Sequence, residues 1–417
     1  MRKKKILTGA ILISSLVLGA CGKSTESETE TRRRREVTSS ITSEESTSLQ
    51  DSFDNLFTNT LSNVENKSDN VLLSPYSLVM DFGMLENGSS GATLDELVKH
   101  LNGGLSLEEL NKIMQESRKN MMDATDVKWN IANSIWLNEN IGADVKPELE
   151  EVVKKYYESE INKRPYNNET LKEINDWVND NTNGMIPALL DQLYPDDVMH
   201  LLNAVAFEGK WEDGFDKKDI ESDVEFTNID GSTSNVDMLC DKASGYFAGE
   251  DFEGFSKAFA DNYYRFFAIK PTGDLTPEEL MVKLRKENKT VMSIMDEYCI
   301  EEMAKVKIPK FTVDYNMNLN DVLMDTGVKK IFSSDADFSN LSDAKGLFVS
   351  QVLQKTHFEF SEEGVKAAAA SSIGMKKNSA PSTVSNKEIV FDKPFIYGVY
   401  DVSTSLPIFI GSMNTME

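Results

Sequence analysis

Residues 362–379 read Glu362-Glu363-Gly364-Val365-Lys366-Ala367-Ala368-Ala369-Ala370-Ser371-Ser372-Ile373-Gly374-Met375-Lys376-Lys377-Asn378-Ser379. Alanine favours helix in isolation, and an exposed Ala-rich helix or linker is the plain reading of such a run. The alternation points elsewhere. In a strand, Val365, Ala367, Ala369, Ser371, Ile373 and Met375 share one face, while Lys366, Ala368, Ala370, Ser372, Gly374 and Lys376 share the other. One face is apolar or small, and both of these lysines lie opposite. A segment that is loop-like in composition yet patterned as a buried central strand is unusual in an ordinary protein.

The surroundings of this segment set the fold class. Short β-rich runs cover residues 199–207, 306–313, 348–360, 389–391, 395–402 and 407–413. Helical periodicity comes earlier. Leu49, Phe53, Leu56 and Leu61 fall on one face, and so do Leu94, Leu97 and Leu101 after a Ser90-Gly91-Ala92-Thr93 start. Another helix runs through Leu171, Ile174, Trp177 and Val178 and stops at Asn183-Gly184. Helices first and strands afterwards predict an α+β domain with large antiparallel or mixed sheets. No low-complexity break interrupts residues 50–417, which read as one domain.

Ahead of that domain lies a different kind of sequence. Arg2, Lys3, Lys4 and Lys5 precede an apolar run over residues 6–18, and Leu18-Gly19-Ala20-Cys21 closes it with small residues before a cysteine. Residues 1–20 read as a secretion signal, too short for a transmembrane helix of about 20 apolar residues. The tetrad resembles the bacterial lipobox, which implies that Cys21 is diacylated and becomes the mature N-terminus, with two acyl chains sufficient for stable anchoring. Residues 21–49 are rich in Ser, Thr and Glu around one basic block, Arg32 to Arg35, and read as a flexible tether. The expected location is the extracytoplasmic face of a cell membrane.

Charge and composition exclude several functions. The net charge is −25, and loss of the four basic residues of the leader takes it to −29, which repels phosphate backbones and anionic headgroups. Nucleic acid is not an expected partner. Cys240 and Cys299 are far apart, and their spacing does not pair them. His100, His200 and His357 are scattered without metal-ligand spacing, so no metal or other cofactor is expected. Ser68-Asp69-Asn70 and Ser342-Asp343-Ala344-Lys345 superficially match two penicillin-recognising motifs, but in the wrong order and without the third. Nucleophile-elbow, phosphate-loop and dinucleotide motifs are absent as well. No enzyme is indicated.

Residues 362–370 resemble the reactive-centre-loop hinge of the serpins, a family of serine protease inhibitors: an acidic residue, glycine, a small residue and an alanine run. Further motifs agree in order. Asn70-Val71-Leu72-Leu73-Ser74-Pro75-Tyr76-Ser77, the turn and helix over residues 88–97, Asn203-Ala204-Val205-Ala206-Phe207-Glu208-Gly209-Lys210-Trp211, Val306-Lys307-Ile308-Pro309-Lys310-Phe311 and Phe391-Asp392-Lys393-Pro394-Phe395 are all similar to serpin signatures. The resemblance implies helices packed around three β-sheets, with an exposed loop able to insert into the main sheet. It matches Ser74, Ser77 and Asn203 to positions that hydrogen-bond where the central strands part. Lys310 and Glu362 match an ion pair at the top of the sheet, with Trp211 packed beside it. Gln354 stands where the family usually has histidine; glutamine donates and accepts hydrogen bonds but cannot titrate, so this gate would lack a histidine's pH dependence. Val365 and Lys366 also depart from the usual threonine and acidic residue.

The implied activity is suicide inhibition by a monomer whose partner is a serine protease. The protease acylates on the loop, and about 15 freed residues at ~3.3 Å each insert as a strand, dragging it roughly 50 Å and ruining its catalytic geometry. Family spacing from Glu362 places the cut bond near Asn378-Ser379, with Lys377 adjacent and Lys376 a third option. Lysine suits trypsin-like enzymes, whereas asparagine suits an asparaginyl-specific or permissive protease. The competing readings are a non-inhibitory serpin that acts as a binding module or substrate, and an inhibitor of cysteine proteases.

Overall fold

The computed structural model describes residues 41–124, 126–365 and 384–416. The first element is helix α1 (Ser43–Asn63), which begins ahead of the boundary at residue 50 drawn from apolar periodicity. A reciprocal capping box fixes its start: the Thr42 hydroxyl accepts from Glu45 N, and Thr42 N donates to the Glu45 carboxylate at 2.6 Å. Ile41, just before it, is already buried.

Strand β1 (Val71–Leu73) leads into helix α2 (Pro75–Gly88), capped by Ser74 with proline at its first turn. Every α2 residue except Asn87 is buried, so this helix is the axis of the core. The chain continues through α3 (Gly91–His100), α4 (Leu107–Asp123), β2 (Val127–Asn138), α5 (Pro147–Val152), β3 (Glu160–Arg164), α6 (Asn168–Asn181) and β4 (Met199–Lys210). Next come β5 (Glu221–Thr227), β6 (Thr233–Ala248), β7 (Phe252–Ala258), β8 (Tyr264–Pro271), α7 (Pro277–Lys286), α8 (Val291–Glu297), β9 (Cys299–Pro309), β10 (Phe311–Asn318) and α9 (Asn320–Thr326). The last strands are β11 (Gln351–Phe360), β12 (Gly364–Val365), β13 (Val384–Val390), β14 (Phe395–Asp401) and β15 (Leu406–Met413).

A six-stranded mixed sheet has the order β10-β11-β12-β4-β2-β3. A nine-stranded ladder divides at the long β6 into two parts: β1, β15, β14, β8 and β7 on one side, and β5, β6, β9 and β13 on the other. The molecule is therefore an α+β domain of three sheets. One face of the six-stranded sheet closes over α2 and β15; the other is covered by α6 and residues 185–193, with Ile174, Val178, Leu189 and Leu190 against Ala204, Ala206 and Leu353.

The run expected as one strand over residues 306–313 is two. Proline 309 ends β9, the Lys310 amide turns to the Asp237 carbonyl at 3.0 Å, and Phe311 opens β10 in the other sheet. Lys310 thus sits at a corner between sheets. Cys240 is a free thiol; it lies opposite Lys307, whereas Cys299 lies opposite Phe247 at the other end of β9. That separation is roughly 25 Å at about 3.3 Å per residue, so the two cannot pair.

Candidate functional site

Two clusters lie where β4 and β11 meet. The first is at the top of the sheet. Beyond Phe360 the chain makes a tight turn in which Ser361 N and Oγ both donate to the Gly364 carbonyl, at 2.9 and 2.7 Å. The loop after β4 grips this turn from outside. The carbonyls of Ser361, Glu362 and Glu363 accept from Trp211 Nε1 (2.9 Å), Phe215 N (2.9 Å) and Trp211 N (3.3 Å) respectively. Consecutive carbonyls held by one loop leave little freedom in the backbone.

Charges reinforce the grip. Glu362 meets Lys310 Nζ at 3.0 Å, and Lys217 Nζ lies 2.9 Å from Glu363 and 4.0 Å from Glu362. Partial burial works against the Glu362 charge, but hydrogen bonding and the two lysines outweigh it and hold the carboxyl below its usual range. The Trp211 ring stacks on Phe259 at 4.6 Å and meets Phe360 edge-on at 5.4 Å. It supports the turn through packing as well as through its N–H.

Gly364 follows with φ 150°, and a Cβ there would lie 2.1 Å from the Gly209 carbonyl. Only glycine lets the turn descend against β4. Val365 then enters the sheet: it is fully buried, opposite Phe360 on β11 and Gly209 on β4. The wedge β12 lies between the upper ends of the two central strands, whose direct pairing stops at His357 opposite Ala206.

The second cluster lies lower, where β4 and β11 are paired directly. Gln354 Nε2 donates to Asn203 Oδ1 (2.7 Å) and to the Ser74 carbonyl (3.0 Å), and its Oε1 accepts from Ser74 N (2.9 Å). Asn203 Nδ2 donates to Ser77 Oγ and Asn133 Oδ1, both at 2.6 Å, and Ser77 Oγ donates on to Asn133 Oδ1 at 3.0 Å. Ser74 Oγ reaches the Ile408 carbonyl at 2.9 Å. Every member is buried. One neutral network thus ties both strands to α2, β2 and β15.

Beneath the network lies Asp81, fully buried, with neither carboxyl oxygen hydrogen-bonded. Burial pushes its pKa well above the carboxylate range, and only the neighbouring Asn203 amide works against this. Gln354 brings no titrating group to this network, yet Asp81 puts one beside it.

Glu362, Glu363, Gly364, Val365, Lys310 and Trp211 therefore come together at the top, and Ser74, Ser77, Asn203 and Gln354 in the middle. Lys366, Ala367, Ala368, Ala369, Ala370, Lys377, Asn378, Ser379 and Cys21 lie outside the described residues. Sequence reasoning missed Ser361, Phe215, Lys217, Asn133 and Asp81. Asp81 carried a readable signal, an acidic residue in the middle of the apolar run of α2.

The chain matches the family model described as Serpin (serine protease inhibitor) over residues 48–416. It is 30% identical to neuroserpin of Homo sapiens over 365 residues, spanning 83% of this chain and 86% of that relative. With alpha-1-antitrypsin of Sus scrofa it shares 28% identity over 366 residues, 84% of this chain and 82% of the relative. Among solved structures, the thermophilic serpin tengpin in its native state superposes with a TM-score of 0.82 at 32% identity, covering 90% of this chain and 95% of the other. Tengpin in its latent state gives 0.75 at 30% identity, covering 90% and 99%. The chain belongs to the serpin family, whose members are protease inhibitors, and its fold is the serpin fold.

Proposed function

We propose that this serpin inhibits an extracellular serine protease by loop insertion, trapping it as an acyl complex. The observation that carries this reading is the position of β12: Val365 already lies between β4 and β11, paired to both. If the loop inserted in the same register, Ala367, Ala369, Ser371 and Ile373 would take the core side, in keeping with the alternation in sequence. Ser371 would then come level with Gln354 and Asn203. A small hydroxyl at that level can take over hydrogen bonds that the parting strands give up.

Cleavage near Asn378-Ser379, or after Lys377, would free the strand that inserts. The residues described above position and release that strand and perform no turnover. Cys21, through its lipid, would hold the inhibitor at the outer face of the membrane. Incubation with a panel of serine proteases should yield a covalent complex that survives denaturing electrophoresis, mass spectrometry should locate the cut, and the cleaved form should melt at a higher temperature. Complete cleavage with neither complex nor rise in Tm would refute inhibition.

A further inference from the structure

Strand β10 is an outer edge of the six-stranded sheet and pairs with β11 alone. The Leu319 amide donates to the Val352 carbonyl at 2.8 Å, which sets the phase of this antiparallel ladder: odd-numbered residues bond to β11, and the N–H and C=O of even-numbered ones point away from it. Lys310, just ahead of the strand, keeps the same phase and donates outward to the Asp237 carbonyl at 3.0 Å. Thr312, Asp314 and Asn316 come next. Among the described residues, nothing hydrogen-bonds to their outward main-chain groups.

An open edge of this kind is a template for another strand unless lysine, proline or a covering segment blocks it. The eight residues of β10 include neither lysine nor proline. Beside the edge runs an open groove of about 1500 Å³, lined by residues 310–316 and faced by residues 68–70 and 235–237. Ordinary small-molecule pockets measure about 300–1,000 Å³, so this groove is on the scale of a length of chain.

The walls select the occupant. Asp69, Asp223 and Asp237 are exposed there and Glu359 is half-buried, and none of the four has a cationic partner among the described residues. The two lysines of the groove are already engaged, Lys310 by Glu362 and Lys217 by Glu363. The surplus charge is negative. It repels a second copy of this chain, whose net charge is −25, and attracts a segment bearing lysine or arginine.

We propose that β10 is a docking edge for an extended, lysine- or arginine-bearing segment of a partner protein. The segment joins the sheet as a further strand, held by main-chain hydrogen bonds to Thr312, Asp314 and Asn316 and selected by the carboxylates of the groove. The site does not depend on loop insertion. The turn of residues 361–363 forms one end of the groove, so a partner anchored there is held beside the entrance to β12.

The test titrates the full chain with a fluorescent hexapeptide of alternating lysine and threonine, followed by anisotropy. Two analogues carry N-methyl groups at every lysine or at every threonine, and each modification blocks one edge of the extended peptide while leaving the other intact. The parent peptide should bind. One analogue should bind as the parent does and the other about tenfold more weakly. Asp69→Asn combined with Asp223→Asn and Asp237→Asn should weaken the parent about tenfold and flatten its loss of affinity with salt, at an unchanged Tm. The docking edge is overturned if the parent does not bind, as when the chain's own residues or a second copy fill the edge. It is overturned equally if both analogues behave alike, which marks diffuse attraction without a strand, or if the triple variant binds as tightly as wild type.

Discussion

The two clusters between β4 and β11 hold the strands in opposite ways. At the top the strands are already apart, and the turn over residues 361–364 is secured at the rim by main-chain carbonyls and by lysines that are partly solvated. In the middle the strands are in contact, and a dry network of neutral amides and hydroxyls closes them. Exposed ion pairs contribute about 0–1 kcal/mol each and weaken with salt. Removing one member of a buried network leaves partners unsatisfied, at about 1–3 kcal/mol apiece. For the insertion proposed above, the difference would put the barrier in the middle of the sheet and the control of entry at its top.

The largest effect should come from Asn203→Ala, which takes one hydrogen bond each from Gln354, Ser77 and Asn133 and leaves a cavity in the dry network. Native stability should fall by roughly 3 kcal/mol or more, and the protein should lose inhibitory capacity on standing as the loop enters uncleaved. Denaturant unfolding and residual inhibition after warm incubation measure the two. If Asn203→Ala keeps its activity under those conditions, the barrier is not in the middle. Gly364→Ala comes next: its Cβ would strike the Gly209 carbonyl and expel β12. Complex formation should drop severalfold, while the melting temperature of the uncleaved protein changes less than with Asn203→Ala.

A pH effect follows at intermediate size. Asp81 and Glu86 are both fully buried, with Glu86 pushed up to about 8 by desolvation despite an Asn102 hydrogen bond. In the unfolded chain these carboxyls titrate near 4. Their raised folded values mean that the unfolded chain loses its protons first as pH rises. Their contribution to stability is therefore complete below about pH 4 and is lost through the folded values, up to about 8 for Glu86. Thermal melts from pH 5 to 9 should show a falling Tm, and Asp81→Asn should flatten part of that slope. A slope unchanged by Asp81→Asn would remove Asp81 from the gate's pH response. The smallest effect should be Lys217→Ala, a slight fall in Tm that vanishes at high salt, since Lys217 is largely solvated.

Only the start of the predicted hinge, Glu362 to Val365, falls among the described residues; the small-residue alternation beyond it lies outside them. The residues tied to it were legible through ordered short motifs. Strand β2 was not, because residues 132–138 are buried on both faces and break the period-two signal. The split at Pro309-Lys310 was hidden because the two strands are contiguous in sequence and separate only in space. Lys217 and Asn133 belong to sites assembled by tertiary contact, and no spacing rule links them to Glu363 or Ser77.

The capping box at Thr42 also bears on where the proposed lipid would hold this inhibitor. Ile41, the first described residue, is already buried, and if Cys21 carries the proposed lipid the roughly twenty residues between them would span about 25 Å as a coil. A domain of this size is roughly twice that across. An inhibitor tethered so closely would act as a shallow palisade, meeting proteases that graze the membrane and missing those that pass a body's width above it.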